Sequence, residues 1–385
     1  MKSKKLKKWT TLLTCATALT VMTACSQSSS QSTGTTSSTT SKTSAVTATT
    51  SKKTNKNNSN HFTSKDSDTS YNESSATKIK LSGSSADVSG DGAALSGSTV
   101  TISKAGTYVI SGKSDGVQIK VDAGDSDDVH IVLDGVTMTN TNAAINATKA
   151  GHVYLTLKDG TTNTLSDSSS NSDEDADAVI FSKGDLTING SGTLNIDAKK
   201  NNGIKANDSL HMTGGTYKIS SVGDAFNVND ELNITGTTMT IEAEEDAVKV
   251  DNDDDTSVGT MYLSDNTMTI NGGNIDVYAT DDGVNAANAN ASQSEIFFKM
   301  TGGTLNVEVG EGDTDPIDSN GDIIVSGGTI NLTGQSGFDF DGSATYTGGD
   351  ITINGEKQTK IENSMPGGGG GPQGGGPAGG FGGDH

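Results

Sequence analysis

The chain has 385 residues, 48 of them acidic against 26 basic, and its formal charge of −22 at pH 7 argues against nucleic acid as a partner. Every basic residue is Lys, which excludes guanidinium clamps for carboxylate or phosphate. The two cysteines, Cys15 and Cys25, leave nothing beyond residue 25 to build a disulfide framework or a Cys-ligated metal centre.

Lys2, Lys4, Lys5, Lys7 and Lys8 precede an apolar stretch from Leu12 to Met22. A basic start followed by a short apolar run predicts a signal peptide over 1–24, to be removed rather than folded. The stretch is too short and too rich in Thr to span a bilayer. Met22-Thr23-Ala24-Cys25 ahead of a Ser-rich tract resembles a bacterial lipobox. That resemblance implies lipidation of Cys25, which would hold the mature chain on the outer face of the cytoplasmic membrane or at the cell surface, with the lipid as its only membrane contact. Loss of the five signal lysines takes the charge from −22 to −27, so cations are expected near this surface.

From 25 to 76 the chain is mostly Ser, Thr, Asn and Lys, with too little apolar surface to offset its ordering entropy, and it reads as a disordered tether. The segment 360–385, nearly all Gly with scattered Pro, reads as a disordered tail. Between them, 77–359 forms one domain with short apolar runs, many Gly and Asn, and no helical periodicity.

Within that domain one element recurs as acid or Asn, small residue, apolar, any, apolar. Its copies are Asp177-Ala178-Val179-Ile180-Phe181, Asn202-Gly203-Ile204-Lys205-Ala206, Asp224-Ala225-Phe226-Asn227-Val228, Asp246-Ala247-Val248-Lys249-Val250 and Asp282-Gly283-Val284-Asn285-Ala286. Asp315-Pro316-Ile317-Asp318-Ser319 and Ser336-Gly337-Phe338-Asp339-Phe340 are variants. Ile204, Phe226 and Val248 are spaced 22 and 22 residues apart, and the wider gaps to Val284 and Ile317 hold polar inserts. After each element come two alternating strands joined at a Gly pair, such as Gly214-Gly215 or Gly302-Gly303. Three short strands in a 22-residue period predict an all-β, single-stranded, right-handed parallel β-helix with inserted loops. A β-sandwich of hairpins is the competing fold, but it gives no reason for the same small residue to stand beside the same acid at every repeat.

Coils stacked at about 4.8 Å would bring Asp224 and Asp246 together, with Asp177 below and Asp282 and Asp315 above. Such carboxylates repel by ~3.5 kcal/mol at an effective dielectric of 20. Hard oxygen ligands without Cys or His favour Ca²⁺. Candidate ligands are therefore Asp177, Asp224, Glu245, Asp246, Asp281, Asp282, Asp315 and Asp318, with Asp175 and Asp313 beside them and a second loop at Asp251, Asp253 and Asp255. The competing role for each is a turn-forming Asp that caps its coil. Five histidines are scattered without metal or catalytic spacing and read as surface or tail residues. Tyr217, Tyr262, Tyr278 and Tyr346 are either strand packing residues or platforms for sugar rings.

The Asp-Ala/Gly corners, the Gly-Gly-Thr turns, the lipoprotein-like start and the Gly/Pro-rich tail together resemble a family of bacterial carbohydrate-binding β-helix proteins whose characterised members bind cellulose and polygalacturonate. The resemblance covers about Val100 to Asn354. It implies a pectate-lyase-like fold, bound calcium and adhesion to polysaccharide. The outward residues Lys205, Asn227, Lys249 and Asn285 are the candidate polysaccharide contacts. A polysaccharide lyase using Ca²⁺ and a Lys base, Lys249 or Lys205, is one alternative, and a structural surface adhesin is the other.

Overall fold

The computed structural model describes residues 61–252, 259–264, 266–272, 282–310, 312 and 314–364. From Ile145–Lys149 onward its strands stack into three parallel ladders, each receiving one strand from every coil. The acid-small-apolar element forms the first ladder, through Ile145–Lys149, Ala178–Ser182, Asn202–Ala206, Phe226–Val228, Val248–Asp251, Val284–Ala287, Ile317–Ser319 and Phe338–Phe340. The second includes His152–Leu157, Leu186–Gly190, Leu210–Thr213, Glu231–Thr235, Thr260–Ser264 and Phe297–Met300. The third includes Thr162–Ser166, Thr193–Ala198, Thr216–Ser221, Thr238–Ala243 and Thr304–Val309. The chain is an all-β parallel β-helix, and the one helical turn among the described residues is Gln293–Glu295.

Register follows the repeat. Ile204 pairs with Phe226, Phe226 with Val248, Val248 with Val284, and Ile317 with Phe338. All six side chains are buried in one continuous core that runs the length of the coils. A one-residue slip would turn every apolar pair outward, so burial of one face pins the register. Each fully buried aliphatic or Phe side chain contributes about 1.5–3 kcal/mol, and stacking like upon like repeats that gain at every coil.

The corners explain the small residues. A Cβ on Gly203 would press on the Ala225 carbonyl and the Ile219 side chain, and one on Gly283 would meet Val307 and the Pro316 carbonyl. Gly215 turns with φ 89°, a left-handed conformation that glycine adopts without strain. Toward the N-terminus the second and third ladders merge, because the long strand Asp128–Thr139 pairs with both His152–Leu157 and Thr162–Ser166. The ends are closed by antiparallel strands, Ser85–Ser89 on Thr77–Gly83 and Glu356–Lys357 on Asp350–Ile353. Such caps blunt edges that would otherwise pair with another chain.

The last part of the segment read as tether is not free of the helix. Residues 61–71 lie against the second ladder, held by side-chain hydrogen bonds to its outward residues. Composition hides this contact, since it is made with polar side chains and main-chain carbonyls rather than an apolar stripe.

Candidate functional site

The acidic corners form a hydrogen-bonded spine. The N–H of Asp224 donates to Asn202 Oδ1 at 3.0 Å, that of Asp246 to Asp224 Oδ1 at 3.1 Å, that of Asp282 to Asp246 Oδ1, and that of Asp315 to Asp282 Oδ1 at 2.8 Å. The Ser336 hydroxyl completes the series on Asp315 Oδ1. Each corner side chain from Asn202 to Asp282 thus satisfies a backbone donor of the next coil, a task that Asn202 performs as well as an acid. Asp224 and Asp246 are 3% and 1% exposed. Burial pushes the Asp224 carboxyl up to about 6. Burial, followed by the charge of Asp224, carries Asp246 well above the ordinary carboxylate range. The repulsion expected of stacked carboxylates is therefore eased by the backbone N–H groups that donate to them.

Asp177 departs from the spine. Its Oδ2 accepts from the Asn201 amide at 2.6 Å and its Oδ1 from Lys205 at 2.8 Å. Glu245 and Asp175 are exposed, and Asp251 ends the strand Val248–Asp251. Asp253, Asp255, Asp281, Asp313 and Cys25 lie outside the described residues.

Outside the core, the first ladder carries one polar column. Lys205 pairs with Asn227, Asn227 with Lys249, Lys249 with Asn285, Asn285 with Asp318 and Asp318 with Asp339. Two ammonium groups alternate with two amides, and two carboxylates follow. Asn227 donates to Asp224 Oδ2 at 2.6 Å, and Lys249 Nζ stands 3.8 Å from Asp246 Oδ2. Each lysine therefore lies against a carboxylate, whereas a proton-abstracting base needs a neutral amine within reach of its substrate. At the far end burial pushes the Asp318 carboxyl up to about 8, reinforced by Asp282, Asp339, Asp315 and Asp341. Among the described residues no three His, Cys, Asp or Glu side chains converge tightly enough to enclose a metal ion. With one oxygen of each spine acid committed to an N–H or, at Asp315, to the Ser336 hydroxyl, Asp318 and Asp339 remain the better oxygen donors, and an ion there needs further oxygens from outside the protein.

A second polar column lies beneath residues 61–71, and sequence spacing does not reveal it. His130, Tyr154, Thr187, His211, Asn233 and Tyr262 are successive partners along the second ladder. The segment crossing them stacks His61 on Tyr262 at 4.0 Å and sets Lys65 over the Tyr154 ring at 4.5 Å. Asp66 is its anchor. One carboxylate oxygen accepts from Thr187 at 2.7 Å and lies 3.2 Å from His211 Nδ1; the other accepts from the Thr63 N–H at 2.7 Å. His211 Nε2 contacts Glu231 at 3.2 Å. Burial alone would depress the His211 imidazole, but the Asp66 and Glu231 carboxylates lift it to about 9. Burial opposes ionisation of Asp66 too, yet the His211 charge and the Thr63 N–H hold its carboxyl well below the usual range.

The histidines thus depart from expectation. His61, His130, His152 and His211 gather on one face, because coils of unequal length bring irregular sequence spacings into register. Of Tyr217, Tyr262, Tyr278 and Tyr346, Tyr262 is the one that lies in this column, alongside Tyr154. Tyr217 is buried with its hydroxyl on the Gly214 carbonyl, Tyr346 bonds the Gly349 carbonyl, and Tyr278 lies outside the described residues.

A family model described as "Carbohydrate-binding domain-containing protein" matches residues 96–359. A curated protein of Acetivibrio thermocellus with that same description is 37% identical over 137 residues, covering 34% of this chain and 48% of its own length. The chain therefore spans about half the length of the curated relative it matches. A solved structure of a polysaccharide lyase-like protein from C. thermocellum, a gadolinium derivative, is similar with a TM-score of 0.47 and 25% identity, over 73% of this chain and 95% of that one.

Proposed function

Because the chain belongs to the family of carbohydrate-binding domain-containing proteins, we propose that it binds an acidic polysaccharide of the polygalacturonate type along the column Lys205, Asn227, Lys249 and Asn285, with cellulose as the other candidate polymer, and does not cleave it. The observation that carries this reading is the register itself, which sets these four side chains on consecutive coils facing away from the core. Strand spacing of about 4.8 Å gives such a column a regular repeat suited to a linear polymer. The amides supply both donors and acceptors for hydroxyls, and the ammonium groups supply charge for uronate carboxylates.

Calcium is the proposed partner at the acidic end. An ion held by Asp318 and Asp339 would complete its six to eight oxygens with water and uronate carboxylates, bridging two surfaces that otherwise repel. The protein would work at the outer surface of the cell, tethered through lipid on Cys25. Calorimetric titration with polygalacturonate and with cello-oligosaccharides, in Ca²⁺ and in chelator, tests the reading. Polygalacturonate binding that requires Ca²⁺ and weakens in Lys205→Ala and Lys249→Ala is expected. Binding that survives complete chelation would overturn the calcium bridge, and binding to no polymer would overturn the reading as a whole. Release of unsaturated uronate products from the polymer would instead establish the lyase alternative.

A further inference from the structure

Residues 61–71 cross six consecutive rungs of the second ladder, from Tyr262 back to His130. The segment is attached through its main chain as well as through its side chains. Side-chain donors of the sheet reach out to its main-chain carbonyls: Asn233 to His61, Thr213 to Asp66, and Asn189 to both Asp66 and Asp68. Rings of the sheet meet the segment between those donors, Tyr262 under His61 and Tyr154 under Lys65. Apolar burial contributes little, since Phe62 and Tyr71 are only half-buried and the buried members of the segment are His61 and Asp66. A segment held by polar contacts without an apolar core opens locally at modest cost in free energy.

We infer that the face beneath this segment is a second polysaccharide-binding surface, and that residues 61–71 occupy it as an intramolecular competitor. The inference rests on the carbohydrate-binding reading above. Hydroxyl and amide donors interleaved with tyrosine rings at the spacing of the coils are the groups that recognise a sugar chain, whose hydroxyls accept hydrogen bonds and whose C–H faces pack on aromatic rings. The peptide segment satisfies the same donors with carbonyl oxygens and the same rings with His61 and the Lys65 ammonium. Sugar chain and segment therefore cannot hold the face together. Apparent affinity for a polymer at this face is reduced by the fraction of molecules whose face is open.

Two measurements on the full chain test this, with polygalacturonate and cello-oligosaccharides as probes. First, Asp66→Ala removes the anchor from Thr187 and His211 and is expected to tighten binding of one probe roughly tenfold, a gain that Asn233→Ala in the same background abolishes. Second, with the unaltered protein, that probe is expected to speed tryptic cleavage after Lys65, because a polymer on the face releases the segment. Equal affinity of the Asp66→Ala protein and the parent, with cleavage after Lys65 indifferent to probe, overturns the inference while leaving binding at the Lys205 column intact. Tighter binding that persists in Asp66→Ala/Asn233→Ala overturns it as well. Failure of both proteins to bind either probe overturns this inference and the proposed function together.

Discussion

Asp224 Oδ1 accepts the backbone N–H of Asp246, one coil further along, at 3.1 Å. Only the acceptor matters to that bond, and Asn202 plays the same part for Asp224 one coil earlier. Asp224→Asn should therefore keep the spine, with the Asn227 amide reversed so that its oxygen accepts from the new NH2, and, by removing a buried group with a carboxyl raised to about 6, leave the protein at least as stable at pH 8. Asp224→Ala leaves a buried N–H unsatisfied and should cost about 1–3 kcal/mol. Denaturant unfolding of the two variants checks this. A large loss in Asp224→Asn would show that the carboxylate charge itself is needed, as a metal ligand would be.

The small residue beside each corner answers to packing. Gly203→Ala would drive a methyl group toward the Ala225 carbonyl and the Ile219 side chain, both within the stack. Overpacking of this kind costs about 1–3 kcal/mol. The thermal midpoint should fall by several degrees. An unchanged midpoint would mean that adjacent coils can separate there without loss.

Asp318 gives the stability a pH dependence of its own. Its carboxyl rises from an ordinary value to about 8 on folding, so the folded chain holds a proton between about pH 4 and 8 that the unfolded chain has released. The unfolded state then binds fewer protons, and stability falls as pH rises through that window. Asp318→Asn should flatten the decline by an amount of order 1–3 kcal/mol between pH 5 and pH 8. Calcium bound beside Asp318 should restore stability at pH 8 in the parent and do less in the variant. Thermal melts at both pH values, with Ca²⁺ and with chelator, are the measurement.

These tests also mark where the sequence is legible. The 22-residue spacing of Ile204, Phe226 and Val248 places like residues on consecutive coils, so the inward core and the outward Lys205–Asn285 column both follow from alternation. Spacing brings the corner acids together but does not reveal that each accepts an N–H from its neighbour, since an Asp suited to a cation and an Asp suited to a spine look alike in a string of letters. Residues 61–71 carry even less signal. The bond from Thr187 to Asp66 spans 121 positions, joins a tether-like composition to an ordinary strand, and belongs to no repeat. His130, His152 and His211 are equally opaque, because merged strands near the N-terminus and coils of unequal length give them irregular intervals.

The Asp66–His211–Glu231 cluster predicts a window of pH in which residues 61–71 are held most firmly. His211 is flanked by Asp66 from the crossing segment and Glu231 from the next coil, while His152, two coils earlier, has its own imidazole pulled down by burial. A histidine raised from about 6.5 to about 9 contributes stability that is complete below 6.5 and is lost as pH climbs through 9. Asp66 is depressed, so its contribution is present above the ordinary carboxylate range and disappears only in strong acid. The segment should therefore be tightest between about pH 4 and 6.5 and loosen toward pH 10. The shift of His211 corresponds to about 3 kcal/mol, most of which His211→Gln should remove at pH 6 and little at pH 10. Its imidazole resonance, followed by NMR, should titrate near 9 in the parent and move toward 6.5 in Asp66→Asn, because the pair that holds the proton has lost one charge. A parent midpoint near 6.5 would mean that Asp66 does not engage His211 in solution.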